Sequence, residues 1–296
     1  LMGLRIKGET AVEIAAGATV LRAKATPIRC PAGAIDTCGT GGDSRGTFNI
    51  STASAIVIAA CGVPVAKHGN RSVSSKSGSA DVLEALGVKI DASIPVLERC
   101  LEKLNISFLM APKFHTAMRH VAPIRQELGL RTIFNILGPL SNPAKPDFQL
   151  LGAYDKSLLD PLARVLQTLG TKAAWVVHGH DGLDELTPTG ISHVCALKNG
   201  EITHFELHPE AANLPTCLLE DIKGGDAGAN AKALEHALSG VESAHKNAVL
   251  YNAAAGLVIA GRESDLKSAA ARAKVAIDSG SAYSLLKQWA MLSHEQ

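Results

Sequence analysis

Apolar and polar residues follow two different spacings along the chain, and the two alternate. Short apolar runs that end in glycine or a charged residue predict strands, whereas apolar positions at helical spacing predict helices. The predicted elements of the first two thirds are helices at residues 11–23 (after Thr10), 50–61, 80–86 (after Ser79), 93–104 and 158–169, and strands beginning at Ile35 and spanning 63–66, 106–110, 148–153 and 173–177.

The last third of the chain begins with a hairpin signal and continues as helices. Asn199 and Gly200 predict a tight turn that joins strands 193–198 and 201–207. Residues 230–293 are rich in alanine and predict helices interrupted near Gly240, Gly261 and Gly280. Because strands and helices alternate, we expect an α/β fold in which helices flank a mostly parallel central sheet.

Composition indicates the class of protein and its cellular compartment. The chain has 296 residues, of which 46% are hydrophobic, enough for a sizeable core in one large or two modest domains. Its longest apolar stretches, residues 53–60 and 253–260, are too short to span a bilayer, and no signal peptide opens the sequence, so we expect no membrane partner. Six cysteines without a Cys-x-x-Cys pair predict reduced thiols and a cytoplasmic location.

The charge balance argues against a nucleic-acid partner. The 29 basic and 28 acidic residues leave a net charge of +1, and aromatic residues make up only 4% of the chain. A near-neutral protein with few stacking platforms lacks the field and the surfaces that recruit nucleic acid. Any anion binding must therefore be local.

Glycine, hydroxyl and basic residues are concentrated between residues 36 and 79. The glycines of residues 39–46 allow a tight loop with outward N–H groups, and Asn49, Ser51 and Thr52 follow where a helix should begin. Residues 67–72 and 76–79 add basic and hydroxyl side chains. Either half alone usually means a turn and a helix cap. Since one helix and one strand separate the halves, both can meet on one rim of a sheet, which predicts a cradle for a phosphorylated ligand.

Two common nucleotide motifs do not fit this segment. A Walker loop requires lysine where Thr47 follows Gly46, and a dinucleotide fingerprint requires glycine where Ser44 stands. Neither standard nucleotide-binding fold is indicated.

A histidine and carboxylate cluster follows the predicted strand 173–177. Asp184 and Glu185 could bind Mg²⁺, which prefers few carboxylates together with water and substrate phosphates. His178 and His180 have a spacing known for zinc ligands, but no third ligand is placed nearby. A solvated acidic turn is the remaining alternative.

Residues 113–131 are rich in cationic side chains and lead into a turn of asparagine, glycine and proline at residues 135–143. Such charges usually lie on a solvated helix face. The rigid turn favours a functional role, in which Arg125 binds a carboxylate through two parallel hydrogen bonds.

These motifs together resemble one family, the anthranilate phosphoribosyltransferases, and the resemblance runs in order over essentially the whole chain. It is carried by Gly39-Thr-Gly-Gly-Asp43, Thr47-Phe-Asn-Ile-Ser-Thr52, Lys67-His-Gly-Asn-Arg71, Lys76-Ser-Gly-Ser-Ala-Asp81, Arg131 to Pro143 and Asp181-Gly-Leu-Asp-Glu185. It implies Mg²⁺-dependent transfer of the phosphoribosyl group of 5-phosphoribosyl 1-pyrophosphate to the amine of anthranilate. The products are N-(5-phosphoribosyl)anthranilate and pyrophosphate, in the second step of tryptophan biosynthesis from chorismate.

The resemblance also implies three sets of binding residues. Those expected to bind the phosphoribosyl donor are Gly39, Gly42, Asp43, Thr47, Asn49, Ile50, Ser51, Thr52, Lys67, His68, Gly69, Asn70, Arg71, Ser72, Val73, Ser74, Ser75 and Ser79. Those expected at anthranilate are Gly39, His68, Asn70, His115, Arg125, Gly138 and Pro139. Ser51, Asp184 and Glu185 are expected to bind magnesium, directly or through water. No residue is assigned as acid or base, because an aromatic amine is already neutral at physiological pH.

The family's architecture gives expectations about domains and assembly. It implies a discontinuous helical domain, residues 1–26 and 113–137, beside an α/β domain of nucleoside-phosphorylase type, residues 27–112 and 138–296. The helical part is expected to form a homodimer. Relative to the family, the chain is expected to lack the first helices. Ser44 and Thr116 replace a common glycine and a common proline, and both changes look tolerable.

Two other functions are weaker alternatives. A pyrimidine nucleoside phosphorylase resembles this fold but carries a Lys-His-Ser-Thr-Gly-Gly motif where this chain has Lys67-His-Gly-Asn70. A nucleic-acid-binding paralogue that has lost catalysis is opposed by the neutral charge and by the presence of Asn70, Arg125, Asp184 and Glu185.

Overall fold

The computed structural model describes residues 1–72 and 76–295. Its helices are α1 Met2–Lys7, α2 Ala11–Lys24, α3 Ile50–Ala60, α4 Ser79–Ala85, α5 Ile94–Leu104, α6 Ala111–Phe114, α7 Ala122–Leu128, α8 Ile133–Leu140, α9 Leu159–Thr168, α10 Ala227–Leu238, α11 Ala244–Ile259, α12 Leu266–Asp278 and α13 Ser281–Leu292. Its strands are β1 Ile35–Gly39, β2 Val65–Gly69, β3 Ile106–Met110, β4 Phe148–Gly152, β5 Ala173–Gly179, β6 Ser192–Lys198 and β7 Glu201–Leu207. Short 3-10 turns span Thr116–His120, Lys156–Leu158, Pro209–Ala212 and Leu219–Ile222.

The strands form one sheet in the order β3-β2-β1-β4-β5-β6-β7. Strands β1 to β5 are parallel, and the β6–β7 hairpin adds two antiparallel strands at one edge. The mostly parallel sheet expected from the alternation of strands and helices is confirmed. The chain builds outward from β1 through β2 to β3 and then returns to pair β4 with the other side of β1. Strand order therefore reverses beside β1, the point where open α/β sheets usually bind ligands.

Alternate residues of the strands enter two separate apolar cores, one on each face of the sheet. Ile35 and Leu150 join a large core with helices α3, α10, α11, α12 and α13. Cys38 and Leu151 join a smaller core with α2, α8 and α9. Both faces are covered, which is why the parallel strands are apolar along most of their length.

Most element boundaries lie within a few residues of the predicted ones. Thr10 caps α2 as expected, through a reciprocal pair of hydrogen bonds with Glu13. Strand β2 starts later than predicted and continues through Lys67 to Gly69, because its polar end still pairs with β3. Ser79 is the first residue of α4 rather than its cap, and Gly78 takes the capping position.

Helices α2 and α8, from the two segments assigned to a helical domain, contribute to the same smaller core, whereas Phe114 joins the large one. Helix α2 packs against α8 and α9, and Thr26 N–H donates to the Phe114 carbonyl at 3.0 Å. The division of the chain into two domains stays a prediction. Within residues 1–72 and 76–295, no helix is long and apolar enough to cross a membrane.

Candidate active site

The predicted phosphate loop begins at Gly39, the last residue of β1, beside the last residue of β4. Gly39 is paired in register with Gly152, and both lie against Asp184. A side chain at Gly39 would overlap the Asp184 carboxylate, and one at Gly152 would overlap the Asp184 backbone. Only glycine fits at these positions, so the loop and the acidic turn after β5 approach each other closely at the point where strand order reverses.

The loop is shaped by positive backbone angles and tied down at its far end. Gly41, Gly42 and Gly46 have φ values of 68°, 76° and 66°, a region that glycine adopts without strain. Gly41 N–H donates to Asp184 Oδ2 at 2.8 Å. After the loop, Phe48 N–H donates to the Ile222 carbonyl at 3.2 Å. Hydrogen bonds therefore hold the start of the loop at Gly41 and the chain just after it at Phe48.

A segment far away in the sequence completes the loop, and we call residues 222–230 the clasp. Thr47 forms an antiparallel bridge with Lys223, whose Nζ donates to the Arg45 carbonyl at 2.8 Å. Asn230, which is buried, donates from Nδ2 to Asn49 Oδ1 at 2.9 Å. The clasp thus orients Asn49 at the N-terminus of α3.

At that same N-terminus, the predicted metal residues come together. Ser51 N–H donates to Glu185 Oε1 at 3.2 Å. Lys67 Nζ donates to Ser51 Oγ at 3.3 Å and to the Thr37 carbonyl. The neighbouring Thr52 Oγ1 is buried and has no hydrogen-bond partner among the residues described. Serine, lysine and carboxylate therefore meet at the start of a helix, where the helix dipole also favours anions.

The surroundings of the carboxylates near the N-terminus of α3 disfavour their ionised forms. Burial, then the charges of Asp43 and Glu185, raise the pKa of Asp184 well above its usual range. Burial raises the pKa of Glu185 to about 7, although the Lys67 ammonium opposes the rise. Buried carboxylates that repel one another are stabilised by a cation. The donor set is one that Mg²⁺ accepts together with water and phosphate oxygens.

A buried network behind the strand ends holds β1, β2 and the residue after α8 in place. Asp36 Oδ1 accepts from His68 N–H at 3.2 Å, and its Oδ2 accepts from Asn142 Nδ2 at 2.8 Å. Asn142 Nδ2 also donates to the Ala66 carbonyl at 2.8 Å. Burial raises the pKa of Asp36 to about 6. These contacts fix the position at which Lys67 and His68 leave the sheet.

The residues after β2 turn back onto α4. Gly69 has room for no side chain, because Ser79 Oγ and Phe108 lie against its Cα, and Ser79 Oγ donates to the Asn70 carbonyl at 3.4 Å. Arg71 is paired with Asp81 and Glu84, both at 2.9 Å, so its charge is directed toward α4. Ser72 N–H donates to Asp81 Oδ2 at 3.0 Å. Three residues predicted to bind the donor, Val73, Ser74 and Ser75, lie outside the described residues.

A cavity of about 610 Å³ opens beside this corner. One wall is the donor side, with Gly39, Thr40, Gly69 and Asn70, and the other is formed by residues 111–141. Its remaining lining residues are Leu21, Cys38, His68, Ala111, Pro112, His115, Thr116, Met118, Arg119, Ala122, Arg125, Phe134, Asn135, Gly138, Pro139 and Ser141. Every residue predicted to contact anthranilate thus lines one space.

Arg125 supplies a positive charge to the wall of residues 111–141. Its guanidinium lies 5.6 Å from the centre of the Phe134 ring, and burial lowers the pKa of Arg125 from its usual value. Arginine keeps its charge under such a shift. A planar, partly desolvated cation beside an aromatic ring suits a flat carboxylate-bearing ligand.

The two histidines of the cavity are packed as neutral rings. His68 and His115 meet edge to face, with ring centres 5.1 Å apart, and His68 Nδ1 lies 3.2 Å from the Gly138 carbonyl. Burial, then the charge of His115, lowers the pKa of His68 to about 3. Burial also lowers the pKa of His115. Both rings are therefore poor proton acceptors.

The zinc hypothesis for the acidic turn finds no support. His178 Nδ1 lies 2.8 Å from the Ala153 carbonyl, and His180 Nδ1 lies 3.2 Å from the Ile191 carbonyl. Among the described residues, neither belongs to a group of three close metal-binding side chains. Both rings are used in local hydrogen bonds.

Several residues at the site carry no recognisable signal in the sequence. Asn230 and Lys223 are separated from the loop by more than half of the chain, and only the fold brings them back. Arg119, which lines the cavity, is one of several cations in its segment. Arg131, by contrast, begins the motif Arg131 to Pro143; it lies 4.2 Å from the Tyr154 ring centre and donates to the Gly42 carbonyl at 3.4 Å.

Comparison with known proteins gives one consistent result. The family model described as "Glycosyl transferase family, a/b domain" matches residues 32–283. The anthranilate phosphoribosyltransferase of Azospirillum brasilense is 56% identical over 287 residues, which are 97% of this chain and 80% of that protein. The crystal structure of anthranilate phosphoribosyltransferase from Thermus thermophilus is similar with a TM-score of 0.94 and 43% identity, over 100% of this chain and 88% of that one. The Saccharomyces cerevisiae enzyme in complex with PRPP and Mg is similar with a TM-score of 0.90 and 29% identity, over 99% and 83%.

Proposed function

The chain belongs to the anthranilate phosphoribosyltransferase family, and we propose that its cavity transfers the phosphoribosyl group of 5-phosphoribosyl 1-pyrophosphate to the amine of anthranilate. One observation carries this proposal. A single cavity of about 610 Å³ has the donor residues Gly39 and Asn70 on one wall and the acceptor residue Arg125 on the other. Two ligands can therefore meet in one space, which a simple phosphate-binding site would not require.

The donor is assigned to the rim made by the glycine loop, the start of α3 and the end of β2. Loop amides, the α3 N-terminus and Lys67 supply the partners that phosphate oxygens need. Arg71 must exchange its partners on α4 to reach a phosphate. Asn49, oriented by Asn230, is placed to hydrogen-bond the sugar or its phosphates.

Magnesium is assigned to Ser51, Asp184 and Glu185. The repelling buried carboxylates, one of which accepts from Ser51 N–H, fit a hydrated divalent cation. When bound, Mg²⁺ neutralises charge on the pyrophosphate leaving group. The chain's own contribution is to hold the two carboxylates against Gly39 and Ser51, so that the metal site and the phosphate loop form one rigid unit.

The acceptor is assigned to the wall of residues 111–141. Arg125 binds the anthranilate carboxylate, and Phe134, His68 and His115 give a flat, neutral lining for the ring. In the reaction the bond from the anomeric carbon to the pyrophosphate oxygen breaks, the bond to the amine nitrogen forms, and the amine loses a proton. The oxocarbenium-like centre needs positioning and charge stabilisation rather than a strong base.

Closure of the two walls is part of this proposal. The acceptor wall rests on short helices, and the donor rim is fixed, so bringing the walls together excludes water from the reacting atoms. We also propose a cytoplasmic location, which suits six free cysteines.

A homodimer through the helical segments is proposed on the basis of exposed apolar side chains. Ile6, Val12 and Val20 are 81%, 79% and 52% exposed, and Ile124 and Leu130 are also exposed. Large exposed apolar side chains on one group of helical segments are a feature of interfaces when they form a contiguous patch. We expect Ile6→Glu with Val12→Glu to shift the sedimentation of the protein from dimer to monomer, with Val275→Glu, an exposed position on α12, as the control. A wild-type monomer would contradict the assignment.

The transfer itself is tested by incubating the purified chain with anthranilate, 5-phosphoribosyl 1-pyrophosphate and Mg²⁺. We expect loss of anthranilate fluorescence that stops when the donor or the metal is omitted. Phosphate-dependent cleavage of thymidine and a salt-dependent shift of DNA are measured in parallel. Activity in either of these and none with anthranilate would replace the proposal by one of its two alternatives.

A further inference from the structure

Away from the cavity, three side chains of metal-binding type converge where α9 crosses the β6–β7 hairpin. Cys195 of β6 and His204 of β7 are directly opposite each other in the ladder, so their side chains share one face of the sheet. Asp160, in the first turn of α9, lies over that face. One ligand atom of each residue is within 4.8 Å of the other two.

We propose that Asp160, Cys195 and His204 bind a divalent transition-metal ion of the zinc class, with water as the fourth ligand. Thiolate, imidazole and carboxylate are the donors that Zn²⁺ accepts, at roughly 2.0–2.3 Å from the metal. Ligand atoms of such a tetrahedron lie roughly 3.5 Å apart. His204 Nε2 is already 3.7 Å from Asp160 Oδ1. The sulfur lies within 4.8 Å of a ligand atom of each of the other two residues, so the three ligands need to approach by little more than about 1 Å to surround an ion.

The surroundings of the three residues suit a bound ion that is open to solvent on one side. Cys195 is fully buried in the same apolar core as Leu162 and Ala163 of α9, so apolar side chains exclude water from one side of its sulfur. The His204 side chain is 58% exposed, so an ion can enter from that side and keep a water ligand.

Arg164 is hydrogen-bonded to the Asp160 carboxylate and determines which of its two oxygens is available to a metal ion. Its Nε donates to Oδ2 at 2.6 Å, whereas the bond from Nη2 to Oδ1 is longer, at 3.3 Å. Oδ1 faces His204, so metal binding requires only the longer bond to be given up. Arg164 would then orient the ligand carboxylate through Oδ2, as outer partners commonly do. Its positive charge makes the site weaker than a closed structural zinc site.

The test is a cobalt titration of the full chain after treatment with a chelator and desalting. We expect one equivalent of Co²⁺ to produce a thiolate-to-cobalt charge-transfer absorption, which Zn²⁺ then abolishes by displacement. Cys195→Ala should remove the absorption, and His204→Ala should weaken Co²⁺ binding at least about tenfold. Since the His204 side chain is largely exposed, that variant tests the site without disturbing the core.

Two control variants separate this site from the rest of the molecule. Cys100→Ala removes a different buried thiol and should leave the absorption unchanged. Asp184→Asn with Glu185→Gln removes the proposed magnesium ligands and should also leave it unchanged, because oxygen ligands give no thiolate band. Absence of the band at millimolar Co²⁺, its survival in Cys195→Ala, or equal Co²⁺ affinity in His204→Ala would overturn the proposal. None of these results depends on phosphoribosyl transfer.

Discussion

The two walls of the cavity are built in different ways. On the donor wall, Asp36 and Lys67 are buried, and each makes at least two hydrogen bonds to other parts of the chain. On the acceptor wall, the turn Thr116–His120 has no buried residue, and the Arg125 guanidinium lies over the Phe134 ring. The donor rim has its shape before binding, whereas the acceptor wall can adapt. Changes to the first should therefore disturb chemistry, and changes to the second mainly affinity.

The largest effect is expected from removing the charge of the donor corner. Asp184→Asn with Glu185→Gln should abolish the dependence on Mg²⁺ and lower kcat by roughly 10²–10³ or more, since groups that stabilise developing charge contribute at that level. Initial rates over a range of Mg²⁺ concentrations measure the effect, with Glu206→Gln, an exposed residue of β7, as control. Turnover near the normal level at low magnesium would show that the metal is bound elsewhere.

A methyl group added to each wall compares the two directly. Gly39→Ala forces a Cβ into the Asp184 carboxylate, whereas nothing lies within 4 Å of a Cβ at Gly138. We expect Gly39→Ala to lower kcat about 10²-fold, as misplacement of a catalytic group by about 1 Å does. Gly138→Ala should leave kcat and the thermal midpoint unchanged and raise the anthranilate KM by up to roughly tenfold. If both variants lowered kcat equally, the walls would not differ in rigidity.

Arg125 tests whether the acceptor wall contributes affinity for one substrate only. Arg125→Ala should raise the anthranilate KM by roughly 10- to 100-fold, because a hydrogen bond to a charged group contributes about 1.5–3 kcal/mol, and should change the donor KM little. The anthranilate KM of Arg125→Lys should lie between those of the wild type and Arg125→Ala, since lysine keeps the charge but cannot make two parallel hydrogen bonds to a carboxylate. Steady-state kinetics with each substrate varied in turn measure this, with the exposed Arg262→Ala as control. Equal increases in both KM values would place Arg125 outside the acceptor site.

The smallest effect is expected on the pH dependence of stability, at the contact between His68 and His115 where the two walls meet. The pKa of His68 is about 3 when folded and about 6.5 when unfolded. Between these values the unfolded chain binds the extra proton, so the contribution of His68 to stability is complete above about pH 6.5 and is lost as pH falls toward 3. Burial, His115, Lys67 and Arg22 oppose the charged ring, and the Gly138 carbonyl favours it.

We therefore expect His68→Gln to flatten the acid side of the stability profile. At pH 5.5 the wild-type protein should lose about 1 kcal/mol more of its unfolding free energy, relative to pH 6.5, than the variant. Urea unfolding at both pH values measures the difference, with the exposed His294→Gln as control. The same pH slope in His68→Gln and wild type would mean that His68 is not buried as a neutral ring.

Local patterns predicted the donor wall better than the acceptor wall. The glycine loop, the start of α3 at Ile50 and the polar end of β2 are neighbours in sequence and obey known backbone rules, so their position at one rim followed from strand and helix alternation. A cationic segment and a rigid turn pointed to Arg125 and Gly138, but their role at anthranilate was implied only by the family resemblance, because short helices with little periodicity give a weak local signal. Asn142 and Asn230 could not be predicted, since each acts on residues more than seventy positions away, a distance that only the folded topology bridges.

The clasp has a consequence for the order in which this protein becomes functional during its own synthesis. The glycine loop leaves the ribosome early, but Lys223 and Asn230 emerge only after roughly three quarters of the chain has been translated. A nascent chain that has not reached Asn230 contains the loop without the strand bridge and amide contact that set its shape. The shape of the loop therefore depends on residues in the far half of the polypeptide.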